Sequence, residues 1–322
     1  MTVHVVATGG TIASLPDPET GAVRPAVSAA ELIGGIDGVT AQEVAHVNGW
    51  NVTPATMLEV ARHVAAALEH ADGAVVTHGT DTAEETAFLC DLTVASDKPV
   101  AVAAAMRSGA EVAADGPRNL RAAVAVARDP GARGLGTVLV LDDEIHAARW
   151  VRKQHSSRTS AFRSPGHGPV GVVVPGAVRL ALPPPRRWTC AAPAALDRPV
   201  AIVQTYTGME EGLIEAVLAA TGAAGLVVEG TGLGNVPGSA EHGIRAALGR
   251  GLPVVVATRV PAGGTGAVYG GPGGGVTLRD AGVIAAGALP AAKARLLLML
   301  LLATGGDVRE RFEAARDTLA GW

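Results

Sequence analysis

The stretch HVVATGGTIAS, residues 4–14, sets the reading of the chain. The apolar run Val3–Ala7 breaks off into Thr8-Gly9-Gly10-Thr11, and the helix-compatible Ile12-Ala13-Ser14 follows. A short aliphatic run closed by glycines is the pattern of a buried strand. Two hydroxyls flanking a Gly-Gly pair at its tip need a chemical reason. Glycine admits backbone conformations that lift the next side chain to an apex, and it leaves backbone N–H groups open to a ligand. Such a tip suits an anion cradle or a hydroxyl nucleophile.

Working outward, short aliphatic runs alternate with Ala-rich amphipathic stretches. Gly73–Val76, Val100–Ala103 and Thr137–Leu141 read as further buried strands, and Met57–His70 and Asn119–Arg128 as helices. That alternation predicts an α/β fold with a parallel sheet and crossover helices. At LPPPRRWTCAAPAALDRP, residues 182–199, the composition changes, and a Pro-Pro-Pro run can continue neither element. The pattern therefore predicts a larger N-terminal parallel-sheet domain over residues 1–182, a Pro-rich linker over 183–199 and a smaller C-terminal α/β domain over 200–322. In the latter, strands are expected at Val200–Gln204, Gly225–Glu229 and Val254–Ala257. Helices are expected at Glu210–Ala220, Ser239–Arg250, Pro290–Ala303 and Val308–Leu319. No tandem repeat of solenoid spacing interrupts the series.

The bulk properties exclude several function classes. A chain of 322 residues that is 48% hydrophobic and 17% charged buries a sizeable core. A formal charge of -4 offers no field to hold nucleic acid, and 3% aromatics are too few for base stacking. Cys90 and Cys190 are the only cysteines, which excludes a disulfide framework and a thiolate zinc site. The N-terminus lacks a basic region followed by an apolar stretch, so no signal peptide is expected. The most apolar segment, Leu296–Ala303, falls well short of the roughly 20 residues a membrane span needs. It reads as a buried helix, and the protein as cytoplasmic with no membrane partner.

In open parallel sheets ligands gather beyond the carboxyl ends of the strands. Two such ends are loaded with hydroxyls: ATGGTIAS, and GAVVTHGTDTAEET at 73–86, which places Thr77, Thr80, Asp81 and Thr82 at a strand-to-helix turn. Thr and Asp cap helices routinely. Two loaded tips in one sheet weigh against capping alone, because adjacent tips can face one pocket. Phosphate binding competes poorly, since neither tip carries a P-loop or dinucleotide pattern, and GTGLGN at 230–235 has Asn235 where a third glycine belongs. A hydroxyl nucleophile needs a base. Asp81 offers a carboxylate beside Thr80, and the lysines are Lys98, Lys153 and Lys293. Lys153 lies in HAARWVRKQHSSRTSAFRSP, residues 146–165, a polar stretch that reads as strandless, where a solvated loop charge is the ordinary reading.

TGGTIAS at 8–14 and THGTDTAEET at 77–86 resemble the two signature segments of the bacterial-type L-asparaginase/glutaminase family. AAMRSGAEVAADGPRNL at 104–120, VRKQHSSRTSAFRSP at 151–165, TRVPAGGTG at 258–266 and GALPAAKARLLLMLLL at 287–302 resemble further blocks of it, in the same order. The resemblance implies that Thr11 attacks a side-chain amide carbonyl to form an acyl-enzyme that water hydrolyses. It implies that Thr80, Asp81 and Lys153 form a triad, and that Gly10, Gly49, Trp50, Gly79, Thr80 and Asp81 line the substrate site. Asn235 is then expected to reach the pocket of a neighbouring subunit in a homotetramer, or at least a dimer. A small-molecule amide is implied as substrate, L-asparagine giving L-aspartate and ammonia, with no metal and no cofactor.

Three departures from the family pattern bear on substrate. The loop LPDPETGAVRPAV, residues 15–27, has the Pro and Gly content of a mobile lid but lacks the family's tyrosine, so Thr80, or Tyr269 from another subunit, is left to assist Thr11. HVNGWNVTP at 46–54 puts Gly49, followed by Trp50 and Asn51, where the family holds the substrate carboxylate with a serine. AVYGGPGGG at 267–275 has no acid to serve as the partner subunit's glutamate. Two alternatives therefore stay open: an amidase or deacylase acting on a modified or larger amide, and a catalytically silent homologue that binds an amino acid.

Overall fold

The computed structural model describes residues 1–181 and 186–320. The chain divides into two compact units, Met1–Ala192 and Pro193–Trp322. Leu182 and the Pro183–Pro185 run lie outside the described residues. Arg186 and Arg187 belong to the first unit, where the Arg187 guanidinium donates to the carbonyls of Asp91, Val94 and Ser96.

The first unit is built on eight strands: β1 (Val3–Gly9), β2 (Val39–Val47), β3 (Gly73–Thr77), β4 (Val100–Ala103), β5 (Thr137–Leu141), β6 (Glu144–Ala147), β7 (Gly171–Val174) and β8 (Ala177–Leu180). Their order across the sheet is β8-β7-β6-β5-β4-β3-β1-β2. The five strands from β2 to β5 are parallel, and β6 to β8 extend the sheet antiparallel. The central strands are aliphatic end to end because helices cover both faces. Val5, Val75 and Ala101 pack into one layer with Leu120, Ala123 and Val124 of helix α3 (Gly116–Arg128). Their neighbours Val6, Val76 and Val102 pack into the other layer, with Val60 and Val64 of α1 (Pro54–His70) and Ala87 and Cys90 of α2 (Ala83–Thr93). The period of two in each strand thus feeds two separate cores. Helix α1 starts where Thr53 accepts the Thr56 N–H, with Pro54 at its first position.

The α/β class and parallel core are as expected from the residues, while β2 and the β6–β8 extension escaped the pattern. β2 is an edge strand whose residues are half-buried or exposed, so VTAQEVAHV carries no aliphatic run. Strand direction leaves no mark on an aliphatic run, which hides where the sheet turns antiparallel. The stretch around Lys153 is not strandless: Arg152–Lys153 pairs antiparallel with Phe162–Arg163. Alternation of polar Lys153 against buried Phe162 is too short to register as a period.

The second unit has a four-stranded parallel sheet, β9 (Val200–Gln204), β10 (Gly225–Gly230), β11 (Val254–Thr258) and β12 (Ile284–Ala285), in that order. Helices α4 (Leu213–Thr221), α5 (Gly238–Gly249), α6 (Ala291–Thr304) and α7 (Val308–Ala320) belong to it, and the short helix Gly275–Asp280 precedes β12. Leu296 to Leu301 of α6 are all buried, which is why that helix is apolar on every face. Among the described residues no helix is long and apolar enough to cross a membrane.

Candidate active site

The order β2-β1-β3 places a topological switch between β1 and β3, since the chain leaves β1 toward one edge and returns on its other side. Crevices open at the carboxyl ends of strands at such points. Ala7 of β1 is level with Thr77 of β3, so Thr8–Thr11 and His78–Asp81 leave the sheet side by side. The Thr8 hydroxyl ties the two tips by donating to the Thr77 carbonyl at 2.9 Å.

Three of the expected site glycines meet here backbone to backbone. A Cβ on Gly10 would fall inside 3.0 Å of the Cα and N of Gly79 and 2.8 Å from the carbonyl carbon of His78. A Cβ on Gly79 would lie 2.8 Å from the Cα and N of Gly49. No other residue fits a contact that close. Gly10 also adopts φ 77° and ψ −178°, a region essentially reserved for glycine. Its N–H donates to the Val47 carbonyl at 3.0 Å, and its carbonyl accepts the Ser14 hydroxyl at 2.7 Å and the Ala13 N–H at 2.9 Å. That fixes the turn Thr11–Ala13, in which Ile12 and Ala13 are buried, as is Ser14 after it, and Thr11 is the residue left half-open.

The second tip carries the charged chemistry. Lys153 Nζ donates to Thr80 Oγ1 at 2.8 Å and to Asp81 Oδ1 at 2.7 Å. Thr80 is buried and the Lys153 side chain is 19% exposed, which excludes the solvated loop charge that its sequence context allows. The Asp81 carboxylate is 43% exposed, so it holds the ammonium while keeping an open face. Among the described residues no hydrogen bond joins Thr11 to Lys153, Thr80 or Asp81. Lys153 bears directly on Thr80, and Thr11 is placed beside them by the Gly10–Gly79 approach.

Several supporting groups were not singled out from the sequence. His78 is fully buried, its Nδ1 lies 2.8 Å from the Gly79 carbonyl and its Nε2 2.8 Å from the Thr86 hydroxyl. A carbonyl only accepts, so Nδ1 carries the proton and Nε2 accepts from Thr86. Burial pushes the imidazole below its ordinary pKa, against a smaller opposing effect of the Gly79 hydrogen bond. The neutral ring thereby pins the Gly79 peptide against Gly10. Thr82 donates to the Gly49 carbonyl at 2.6 Å and ties that glycine to the second tip. Glu84 accepts the backbone N–H of Lys153.

The remaining expected residues fall as follows. Trp50 follows Gly49 on a short 3-10 turn and is 65% exposed, so it is not a packing residue of the core. Residues 15–27 form a hairpin, Ser14–Pro16 against Val23–Pro25, its turn held by the Asp17 carboxylate accepting from the N–H groups of Glu19 and Thr20. Asn235 lies in the second unit, where its Oδ1 accepts the Gly275 N–H at 3.0 Å and ties the two glycine-rich loops together. Tyr269, in the same unit, is 58% exposed. Among the described residues no group of three or more His, Cys, Asp or Glu is placed to hold a metal ion.

A buried hydroxyl in contact with a lysine, itself fixed by a carboxylate, next to a second hydroxyl on a tight glycine turn, is the apparatus of a hydroxyl nucleophile. The comparisons agree. A family model described as asparaginase, N-terminal, matches residues 2–186, and one described as the glutaminase/asparaginase C-terminal domain matches residues 199–314. The chain is 40% identical over 320 residues to the probable L-asparaginase of Deinococcus radiodurans, covering 96% of each. It is 35% identical to L-asparaginase 2 of Bacillus subtilis, over 95% of this chain and 83% of that one. The crystal structure of the probable cytoplasmic L-asparaginase from Campylobacter jejuni superposes with a TM-score of 0.85 at 32% identity, over 100% of this chain and 99% of that one.

Proposed function

The chain belongs to the asparaginase family in both its N-terminal and its C-terminal parts, and on that premise we propose that it hydrolyses L-asparagine to L-aspartate and ammonia through an acyl-enzyme on Thr11. The Lys153–Thr80–Asp81 contacts carry this reading. Thr11 Oγ1 attacks the side-chain amide carbon, and the carbonyl oxygen takes up the charge. Backbone N–H groups at the two strand tips would stabilise that oxyanion. Collapse of the tetrahedral adduct breaks the C–N bond, and the amide nitrogen leaves as ammonia with the proton that Thr11 gave up. Water then cleaves the ester and restores the Thr11 hydroxyl.

Thr80 and Lys153 handle protons in both halves. As an ammonium, Lys153 donates to Thr80 and orients its lone pairs; as an amine, it accepts the Thr80 proton along the same contact. Asp81 holds the Lys153 end and presents its exposed oxygen to the substrate's α-ammonium. Gly49 would meet the α-carboxylate with its backbone alone.

The test is ammonia release from L-asparagine, L-glutamine and D-asparagine by the wild type, Thr11→Ala, Thr80→Ala and Lys153→Met. Turnover of L-asparagine that Thr11→Ala abolishes supports the reading. Turnover surviving in Thr11→Ala moves the nucleophile to Thr80. The exposed Trp50 ring favours a second reading, an amide carrying a larger or modified group that stacks on it. N-substituted and peptide amides turned over faster than L-asparagine would establish that instead.

The working form we infer is a cytoplasmic homo-oligomer, a dimer or a tetramer of intimate dimers, with Asn235 completing a neighbour's pocket. Light scattering of the wild type, and kinetics of Asn235→Ala, test it. We also propose the division 1–182 and 200–322 with the linker 183–199; the family models end at 186 and begin at 199, and Arg187 fastens the start of that linker to the first unit.

A further inference from the structure

We propose that Glu84 is a positioning residue for the reaction, holding Lys153 by its main chain while Thr80 and Asp81 hold it by its tip. This rests on the reading of Lys153 as catalytic. Lys153 pairs with Phe162 in a two-residue antiparallel ladder, and next to it the Gln154 N–H donates to the Ala161 carbonyl at 2.7 Å. Antiparallel pairs alternate between bonded and non-bonded. Gln154–Ala161 is bonded, so Lys153–Phe162 is not, and the Lys153 N–H points out of the ribbon. Unsatisfied, that half-buried donor would leave the ribbon free to shift. The Glu84 carboxylate takes the bond, and a carboxylate acceptor makes it a strong one.

The placement of Glu84 gives this bond its consequence. Glu84 sits in the first turn of α2, three residues after Asp81 and four after Thr80. One short segment, 80–84, therefore grips the lysine at both ends: Thr80 and Asp81 lie on the turn that leads into α2, Glu84 is the second residue of the helix, and this junction sets the separation between the Lys153 main chain and the Thr80 hydroxyl. On the ribbon's far side Phe162 is 1% exposed and locked in the core of the first unit. Without Glu84 the ribbon keeps that anchor but loses the one beside the reacting groups.

The experiment is steady-state kinetics of the wild type, Glu84→Ala, Glu84→Gln and Lys153→Met with L-asparagine, each with a thermal melt. Glu84→Ala is expected to lower kcat by about 10- to 100-fold, the penalty of a reacting group misplaced by roughly an ångström, with KM nearly unchanged. Glu84→Gln keeps an acceptor oxygen and is expected to recover most of kcat. A merely structural Glu84 would lower the melting temperature and leave kcat intact, which overturns the proposal. So does a Glu84→Gln as impaired as Glu84→Ala. Full turnover in Lys153→Met would remove the catalytic reading of Lys153, and this proposal with it. An inactive Lys153→Met beside a fully active Glu84→Ala refutes the positioning role alone. If Glu84→Ala does not fold, Glu84→Asp, one methylene too short to reach, is expected to show the same loss.

Discussion

Replacing Gly10 by alanine tests whether the site is built on backbone contact between its two tips. Two costs add. Gly10 sits at φ 77° and ψ −178°, where a Cβ costs about 1–3 kcal/mol of backbone strain. The new methyl would also fall inside 3.0 Å of Gly79, against backbone that cannot rotate away. Overpacking of that kind costs a further 1–3 kcal/mol or so. The expected loss is roughly 2–6 kcal/mol, and a first unit of this size then melts some 4–24 °C lower. Activity should fall about 100-fold or more, because relieving the clash moves Thr11 away from Thr80 by a good fraction of an ångström. Gly35 is the control: φ is 78° and a Cβ there meets nothing within 4 Å, so Gly35→Ala carries backbone strain without the clash. Gly49→Ala is the graded case, with its nearest contact at 3.2 Å. Urea titration and kcat of the three variants decide the matter. A Gly10→Ala no worse than Gly35→Ala in both measurements would refute the argument from close approach.

The buried His78 is neutral in the fold and free to protonate when unfolded, near its ordinary pKa of about 6.5. Stability is therefore complete above that pH and declines below it, by up to about 1.4 kcal/mol per pH unit. His146, also lowered chiefly by burial, adds in the same direction. Urea midpoints at pH 7.5 and 5.5 should show His78→Gln less stable at the higher pH but with a shallower decline. Asp91 is 1% exposed between Arg149 and Arg187 and accepts the Thr137 N–H at 3.0 Å. Asp91→Ala leaves buried guanidinium unpaired and should cost about 3–5 kcal/mol by denaturant melt, with kcat of the surviving folded protein little changed. Thr82→Val removes the 2.6 Å bond to the Gly49 carbonyl and should raise KM more than it lowers kcat, since it frees the turn carrying Trp50.

Much of this was legible in the residues. Aliphatic runs of strand length announced the buried parallel strands because a strand covered on both faces has no polar side to show. Thr8–Thr11 and Thr77–Asp81 stood out because hydroxyls and glycines at the end of such a run have no packing reason to be there. Lys153 could be named through the family motif, whereas its local sequence described an ordinary loop. The antiparallel extension, the edge strand Val39–Val47 and the pairing of Lys153 with Phe162 left no periodic mark. His78 and Glu84 were hidden for another reason: their partners are a peptide carbonyl and a peptide N–H, which every residue possesses. By itself, then, the sequence determined the α/β class, the two loaded strand tips and the residue types they carry, because those follow from local composition and period. Only the tertiary structure decided that Gly10, Gly49 and Gly79 touch, and that Lys153 reaches Thr80 across 73 positions of chain. Contacts at such separation depend on strand order, and strand order is settled by the packing of whole layers.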